Sequence, residues 1–583
     1  MKKILFENSK KFNKSKNIYF ADWCLKDPKK ISEKNILNLN KNIISSYHWN
    51  KEKKLERDYE YLKKVQKKIL KILVKRLNNY HNTNFKEKYW KIIILPWLIN
   101  ILNMTFDKWE MVKEVDVKKH RAELYDYSDT DLIFEDYKDI GWFSKSTNLW
   151  IITKIFEFRS NLKFNKKIKL QKEKTEYVQF NLNAPSILKK KILIFLFRLF
   201  SFFFKNKIII FNIGYKKIKN FIFHLQIRQF PFYWLIGDYK KNKVNLQKRK
   251  FFFKMKNLKK LKNFEEFFLK NLYLFIPKSY LEDYSSIKKS ISESYWPKNC
   301  KKILTAYDYK INEQFKIWTA EMTNKGTKYI ILQHGGGYGL EKFSIEEDMQ
   351  KEMADVFLTW GWREKQKSVK NFYSILLNNE KIHIKKKFNK KVLIPLHHHG
   401  KYSFSISSMP KTNSDRLKKI NDMVSFTNSL KKNIQENTTI RYLEKLDKLF
   451  LLKFNKNYFQ KNLNFDNGNK DFLEQLKKSK LVIHDLNSTT FLQSMFYNIP
   501  TILLIRKDIE TMRTKYKSII RDLERNNIVF YDPFKASKFV NNNYNEIYKW
   551  WNRKKVQNLR QKFCDIFAKE KSNLMNELKL FVR

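Results

Sequence analysis

Leu55, Tyr59, Leu62, Val65, Ile69, Ile72 and Leu77 recur at steps of three, four and five, with Lys and Arg filling the positions between them. That spacing lines one face of a helix and predicts a long amphipathic helix lying on a core. The stretch 89–104 is apolar almost throughout, so it reads as a second helix, with Pro96 expected to kink it. Residues 17–21 look like a short strand. The first hundred residues therefore read as a helical portion attached to one strand. From about 105 to 270, Lys and Phe mix without a clear period, and no repeat, linker or chemistry is assigned there.

The pattern sharpens beyond residue 270. Short apolar runs at 273–276, 302–306, 328–333 and 355–359 alternate with a helical stretch at 315–322 that ends in Lys325-Gly326, a helix C-cap. A polar, Lys-rich stretch at 366–390 reads as a linker. A second series follows: strands at 392–396, 438–442, 481–484, 501–505 and 528–531, with helices at 415–430, 472–478 and 490–497. Strands alternating with helices imply βαβ units and parallel sheets. The expected division is an α/β domain over 1–365 with helical insertions, a linker over 366–390, a second α/β domain over 391–540 and a helical tail over 541–583.

Composition changes this picture only at its margins. With 583 residues, 43% hydrophobic and 16% aromatic, the chain can bury large cores and divides into roughly two to four domains. The net charge of +62 comes from 120 Lys and Arg against 58 Asp and Glu. The excess is mostly Lys and accompanies abundant Asn, Ile, Phe and Tyr, as codon usage in an AT-rich genome would give. No nucleic-acid-binding motif goes with it, so nucleic acid is not an expected partner. Cys24, Cys300 and Cys564 lie far apart with no CxxC, which supports neither a disulfide framework nor a zinc site. The N-terminus has too short an apolar stretch for a signal peptide, and a cytoplasmic location is expected. The run 192–204, interrupted by Arg198, falls short of the about 20 residues a spanning helix needs. A core helix is the default there. Its basic flanks and Phe content leave an interfacial helix, in peripheral contact with the inner face of a membrane, as the alternative.

Candidate chemistry lies at strand ends, where open α/β sheets bind ligands. The run 328–333 ends in Gln333 and His334, followed by Gly335, Gly336, Gly337 and Gly339; these four are more than a third of the chain's 11 glycines. Exposed N–H groups in such a loop can hold phosphate or sugar oxygens, and His334 can act as a general base. A tight turn with a packed histidine is the competing reading. After the strand 392–396 come His397, His398 and His399. Neighbours on an extended chain point apart and no carboxylate lies close by, so a polar binding loop is favoured over a metal site. The third segment is Asp485, Asn487, Ser488, Thr489 and Thr490 before an apolar helix. Ser and Thr there can cap the helix, and the helix terminus can bind an anion; the two roles are compatible.

These stretches, together with Tyr47-His48-Trp49, Tyr89-Trp90, Pro96-Trp97-Leu98, 357–362, Ile440-Arg441-Tyr442, Asn498-Ile499-Pro500-Thr501 and Trp550-Trp551, run along nearly the whole chain. Through them the sequence resembles GT-B glycosyltransferases and their teichoic-acid and capsule relatives. More closely, it is similar to a family of transferases from bacterial surface-polysaccharide loci. The resemblance implies an α/β fold of the GT-B kind: two Rossmann-like parallel-sheet domains facing a cleft, with a helical N-terminal elaboration. It implies a nucleotide-sugar or polyol-phosphate donor held on the second domain by His397, His398, His399, Arg441, Asp485, Asn487, Ser488, Thr489 and Thr490. It also implies a glycan or lipid-linked acceptor on the first domain, deprotonated by His334 beside Gln333, Gly335, Gly336, Gly337 and Gly339. No metal or cofactor is expected. Arg441 is equally compatible with an ordinary ion pair. Gln493 stands where such relatives often carry a ribose-binding Glu, and the paired glutamates of retaining enzymes are not evident, so inversion with His334 as the single base is favoured. The alternative is a non-catalytic glycan- or nucleotide-binding protein of such a locus.

Overall fold

A computed structural model of the chain describes residues 1–7, 13–25, 29, 32–45, 47–49, 51–116, 118–140, 144–159, 166–169, 187–201, 208–229, 236–253, 263–379, 390–397, 401–402, 406–409, 413–443, 455–507 and 511–582. Its strands form four sheets, and every ladder in them is parallel. Near the N-terminus, β1 (Lys2–Leu5), β2 (Asn17–Ala21), β3 (Ile43–Ser45) and β4 (His120–Ala122) pair in the order β3-β2-β1-β4. The expectation of helices attached to one strand is thus corrected. Three of these strands have only three or four residues and find their partners across long gaps in sequence, so no local alternation marks them. A small ribbon joins β5 (Leu124–Asp126) and β6 (Lys166–Lys169).

The helix Glu52–His81 is amphipathic as predicted: Leu55, Tyr59, Leu62, Val65, Ile69 and Leu77 are buried, while Ile72 is only partly so and its neighbour Leu73 is buried instead. It closes at Asn82, which takes the left-handed conformation at φ 51°. The helix Glu87–Lys113 packs beside it and is buried on all sides, running through Pro96 unbroken. Among the described residues it is the one helix long and apolar enough to cross a membrane, but 94% of its apolar window is buried inside the protein. An all-round apolar helix of this kind is a core element.

Two larger sheets position the site. The first combines β7 (Ile208–Phe211), β8 (Lys302–Thr305), β9 (Lys328–Leu332), β10 (Val356–Thr359) and β11 (Val369–Asn371) in the order β11-β10-β9-β8-β7. Two features depart from expectation. The run 273–276 is the end of the helix Phe264–Phe275 rather than a strand. β11 falls within the stretch expected to be linker, where it pairs with β10, and residues 380–389 lie outside the described residues.

The second sheet combines β12 (Lys391–Pro395), β13 (Thr438–Arg441), β14 (Asn464–Asp466), β15 (Ser479–His484), β16 (Thr501–Leu504) and β17 (Val529–Phe530) in the order β14-β13-β12-β15-β16-β17. The chain builds outward from β12 to β14, then returns to β15 and builds the other way. Between β12 and β15 the winding reverses, and such a switch point opens a crevice at the carboxyl ends of the strands.

The tail divides between the sheets. Trp551 donates to the side chain of Asn498 at 2.7 Å, and Phe563 packs on Phe491, which fixes the helices Ile547–Trp551 and Lys554–Phe567 on the second sheet. The helix Leu574–Val582 returns to the first sheet. There Leu574, Leu578 and Val582 join a core with Ile210, Leu304, Ile330 and Leu358, and the Lys302 ammonium donates to the Val582 carbonyl at 2.7 Å.

Candidate active site

The loop after β9 is held by its own strand end. Gln333 donates to the Gly335 carbonyl at 2.8 Å, while its side-chain oxygen accepts from the Trp360 amide at 3.0 Å and the Trp362 indole at 2.8 Å. Gln333 therefore braces the loop on the turn that follows β10. Gly339 sits at φ +76°, and a Cβ there would meet the Trp362 ring at about 2.5 Å, so both conformation and space demand glycine.

Gly336 makes the decisive approach. Its N–H donates to Thr489 Oγ1 at 2.9 Å, and an added Cβ would lie 2.5 Å from the Ser488 carbonyl carbon and 2.6 Å from the Thr489 nitrogen. The glycine loop of the first sheet thus abuts the start of the helix Thr489–Phe496 on the second. Other contacts clasp the two halves alongside it. The Arg513 N–H donates to the Leu340 carbonyl at 2.9 Å, the Arg513 guanidinium reaches Glu347 at 2.5 Å, and the Phe343 N–H donates to Ser408 at 2.8 Å. Glu347, fully buried, also accepts from the Gly339 N–H at 2.8 Å.

His334 projects into a nest of phenols. Its ring lies 5.4 Å from Tyr307, 5.6 Å from Tyr338 and 6.1 Å from Tyr309, and its Nδ1 is 3.4 Å from both the Gln350 amide nitrogen and the Tyr338 hydroxyl. Gln350 in turn donates to Tyr338 at 2.5 Å and Tyr309 at 2.8 Å. Burial pulls the imidazole down to about 4, against a smaller upward pull from Glu346. It is neutral at physiological pH and keeps a lone pair to accept a proton. Burial pushes the Glu346 carboxyl up, but Lys310, ion-paired to it, more than offsets this and holds it below the ordinary range. Burial raises the Tyr309 and Tyr338 phenols well above their usual value, so they serve as neutral donors.

On the second sheet, Asp485 bridges the switch point: both its oxygens accept from the His397 main-chain N–H, at 3.2 and 3.1 Å. His397 itself is exposed, and His398 and His399 lie outside the described residues. Ser488 occupies the cap position of the helix without capping it; its hydroxyl instead meets Thr490 at 2.8 Å. The expected side-chain cap is not made. Asn487 is buried, and its side-chain oxygen has no hydrogen-bond partner among the described residues.

Arg441 ends β13, where its carbonyl accepts from the Leu396 N–H at 2.9 Å, next to His397. It is buried on β13, pairs with Asp466 at 2.7 Å and donates to the Gly468 carbonyl at 3.3 Å. Its charge is balanced within the sheet, as the ion-pair alternative expects. A second buried cation is Lys419 on the helix Asn413–Asn428, whose ammonium donates to the Asp485 carbonyl at 2.6 Å. Sequence reasoning missed Lys419, although Asp415, Lys419 and Asp422 at steps of four and three were a legible polar stripe. It also missed Tyr309, Tyr338 and Gln350, which no motif marks. Among the described residues no three His, Cys, Asp or Glu side chains gather as a metal site would need.

A family model described as LIC12162 family transferase matches residues 4–582. Comparison with curated protein sequences gave no match. Among solved structures, the chain is similar to the wall teichoic acid polymerase TagF at 12% identity and a TM-score of 0.32, over 68% of this chain and 93% of that one. It is also similar to the spinosyn rhamnosyltransferase SpnG complexed with spinosyn aglycone, at 10% identity and a TM-score of 0.27, over 51% and 79% of the two chains. An alpha-glucosyltransferase in complex with UDP and a DNA 13-mer follows at 13% identity and 0.27, over 52% and 82%. Superpositions this loose carry no argument about the site; the two-sheet arrangement rests on the strand pairing of this chain.

Proposed function

The chain belongs to the LIC12162 family of transferases, and from that membership we propose that it moves a nucleotide-activated sugar, or a polyol phosphate, onto a growing surface glycan without a metal. The observation that carries this reading is the contact of Gly336 with Ser488 and Thr489. In this reading it brings the neutral imidazole of His334, two residues before Gly336, towards the helix terminus of the other sheet. The donor phosphates then take the helix N–H groups and the positive end of the helix dipole, with Lys419 adding charge at the switch point. The Asn487 oxygen accepts from a donor hydroxyl or base amine, which would satisfy a buried acceptor that is costly to leave unpaired. His334 takes the proton of the acceptor hydroxyl as that oxygen bonds to the transferred group and the bond to the nucleotide breaks. The acceptor is a glycan or its lipid-linked precursor, which suits a cytoplasmic enzyme working at the inner face of a membrane.

Two measurements test this. In a thermal-shift panel of UDP-, GDP-, CMP- and CDP-linked donors, one nucleotide class should stabilise the protein, because a ligand that binds only the native state raises its stability. His334→Ala should keep that stabilisation but lose transfer by about 10²–10⁴-fold, the range of a lost general base. Stabilisation by none of the donors would overturn the donor assignment. Transfer undiminished in His334→Ala would remove the base.

A further inference from the structure

Ten of the described large hydrophobic side chains that stand exposed lie between residues 192 and 251, on three helices. On the helix Ile187–Ser201, Ile192, Phe195, Leu196, Leu199 and Phe200 are exposed while Phe197 turns to the core against Tyr295. On the helix Lys217–Gln226, Ile218, Phe221, Ile222 and Leu225 are exposed while Phe223 is buried. Both exposed sets follow the i, i+3, i+4, i+7 spacing of a continuous apolar stripe. The usual arrangement is inverted: the stripe that should seek a core points outward, with Phe195 61% and Ile218 77% accessible. Phe251, 79% accessible on the helix Leu246–Phe253, adds a third apolar point.

Charge distinguishes between possible occupants. Residues 177–237 contain ten Lys or Arg and not one Asp or Glu. A second copy of this surface would repel itself, and a neutral protein partner would need no such field. A helix with an outward apolar stripe and Lys or Arg on its flanks fits the boundary between headgroups and acyl chains of an anionic bilayer. The two helices precede and follow β7, the edge strand of the first sheet, and flank that edge from its two faces: Phe197 joins the core with Ile209 and Phe211, and Phe223 joins the core with Ile210.

We propose that the β7 edge of the first sheet, through the outward stripes of the helices Ile187–Ser201 and Lys217–Gln226, docks on an anionic lipid surface. This docking is independent of the transfer chemistry and remains testable if that chemistry proves different.

The test uses the full chain with sucrose-loaded vesicles of phosphatidylcholine alone or mixed with phosphatidylglycerol, at low and high salt. The protein should partition to the anionic vesicles at low salt and lose that affinity as salt screens the charge. Phe195→Ser, Leu199→Ser, Phe221→Ser and Leu225→Ser should each lower the partition by about tenfold, the order expected for one buried apolar side chain. Their melting temperatures should not fall, because these side chains already face solvent. No partition to anionic vesicles at low salt overturns the proposal, as does partition of the variants equal to that of the parent chain. Sedimentation analysis supplies a further refutation: if the parent chain self-associates without lipid and the variants do not, a second copy occupies the stripes.

Discussion

Gly335 and Gly336 are adjacent in the chain, yet the structure predicts opposite fates for them on substitution by alanine. A Cβ at Gly336 lies 2.5 Å from backbone of Ser488, and the neighbour must retreat by about 0.9 Å to reach the 3.4 Å of an ordinary contact. Backbone cannot rotate away as a flexible side chain would. Overpacking of this kind costs about 1–3 kcal/mol. Displacing the loop also breaks the 2.9 Å bond to Thr489, a loss of about 0.5–1.5 kcal/mol. Gly336→Ala should therefore weaken the clasp between the sheets by about 2–4 kcal/mol, roughly 30- to 1000-fold in its opening equilibrium. A Cβ at Gly335 meets Thr489 Oγ1 at 3.6 Å and Tyr338 at 4.0 Å, both ordinary contacts, so Gly335→Ala should cost less than about 0.5 kcal/mol. Hydrogen exchange read by mass spectrometry checks the pair. In Gly336→Ala, peptides covering 335–344 and 487–492 should lose protection together; in Gly335→Ala they should match the parent. Equal exchange in the two variants would mean that the sheets do not rest this close in solution, and the composite site would fall with that contact.

Two further predictions follow from buried charge. Arg441→Ala should destabilise the second sheet by about 3–5 kcal/mol, because it strands Asp466 as an uncompensated buried charge; donor binding by the surviving folded protein should be unchanged, and a selective loss of donor affinity without loss of stability would return Arg441 to the phosphate site. Burial lowers His81, His224 and His334 to about 4 and His484 to about 3, from an ordinary value near 6.5. Below about pH 6.5 the unfolded chain takes up protons that the folded one refuses, so this contribution to stability is present above that pH and drains away as pH falls towards 4 and 3. Urea midpoints at pH 7.5, 6 and 5 should decline steadily; a flat series would show that these imidazoles are not desolvated.

The α/β architecture of two larger parallel sheets was legible because its central strands are short, continuous apolar runs with abrupt ends. β9 stops at Gln333 before the glycines, and β15 stops at His484 before Asn487 and Ser488. β7 was not legible, since a Phe- and Lys-rich stretch satisfies strand and helix periods equally. The candidate residues were visible where they are neighbours in sequence, as at 333–339 and 485–490. They were invisible where the role arises only on packing. Gln350 reaches His334 from the next helix, and Lys419 reaches Asp485 across 66 positions. Arg441 could not be assigned from sequence because Asp466, 25 positions on, decides its state.

The return of the helix Leu574–Val582 to the first sheet bears on how the chain folds. Lys302 meets Val582 across 280 positions, so one face of that sheet is completed by residues that lie beyond the whole of the second. Closing so long a loop is slow, because its entropy is lost before any contact compensates for it. Until it closes, the core around Ile210, Leu304, Ile330 and Leu358 lacks Leu574, Leu578 and Val582. The two halves are therefore not independent folding units. A fragment cut at the seam should collapse or aggregate on this face, and assembly of the first sheet should be the late, rate-limiting event rather than the first.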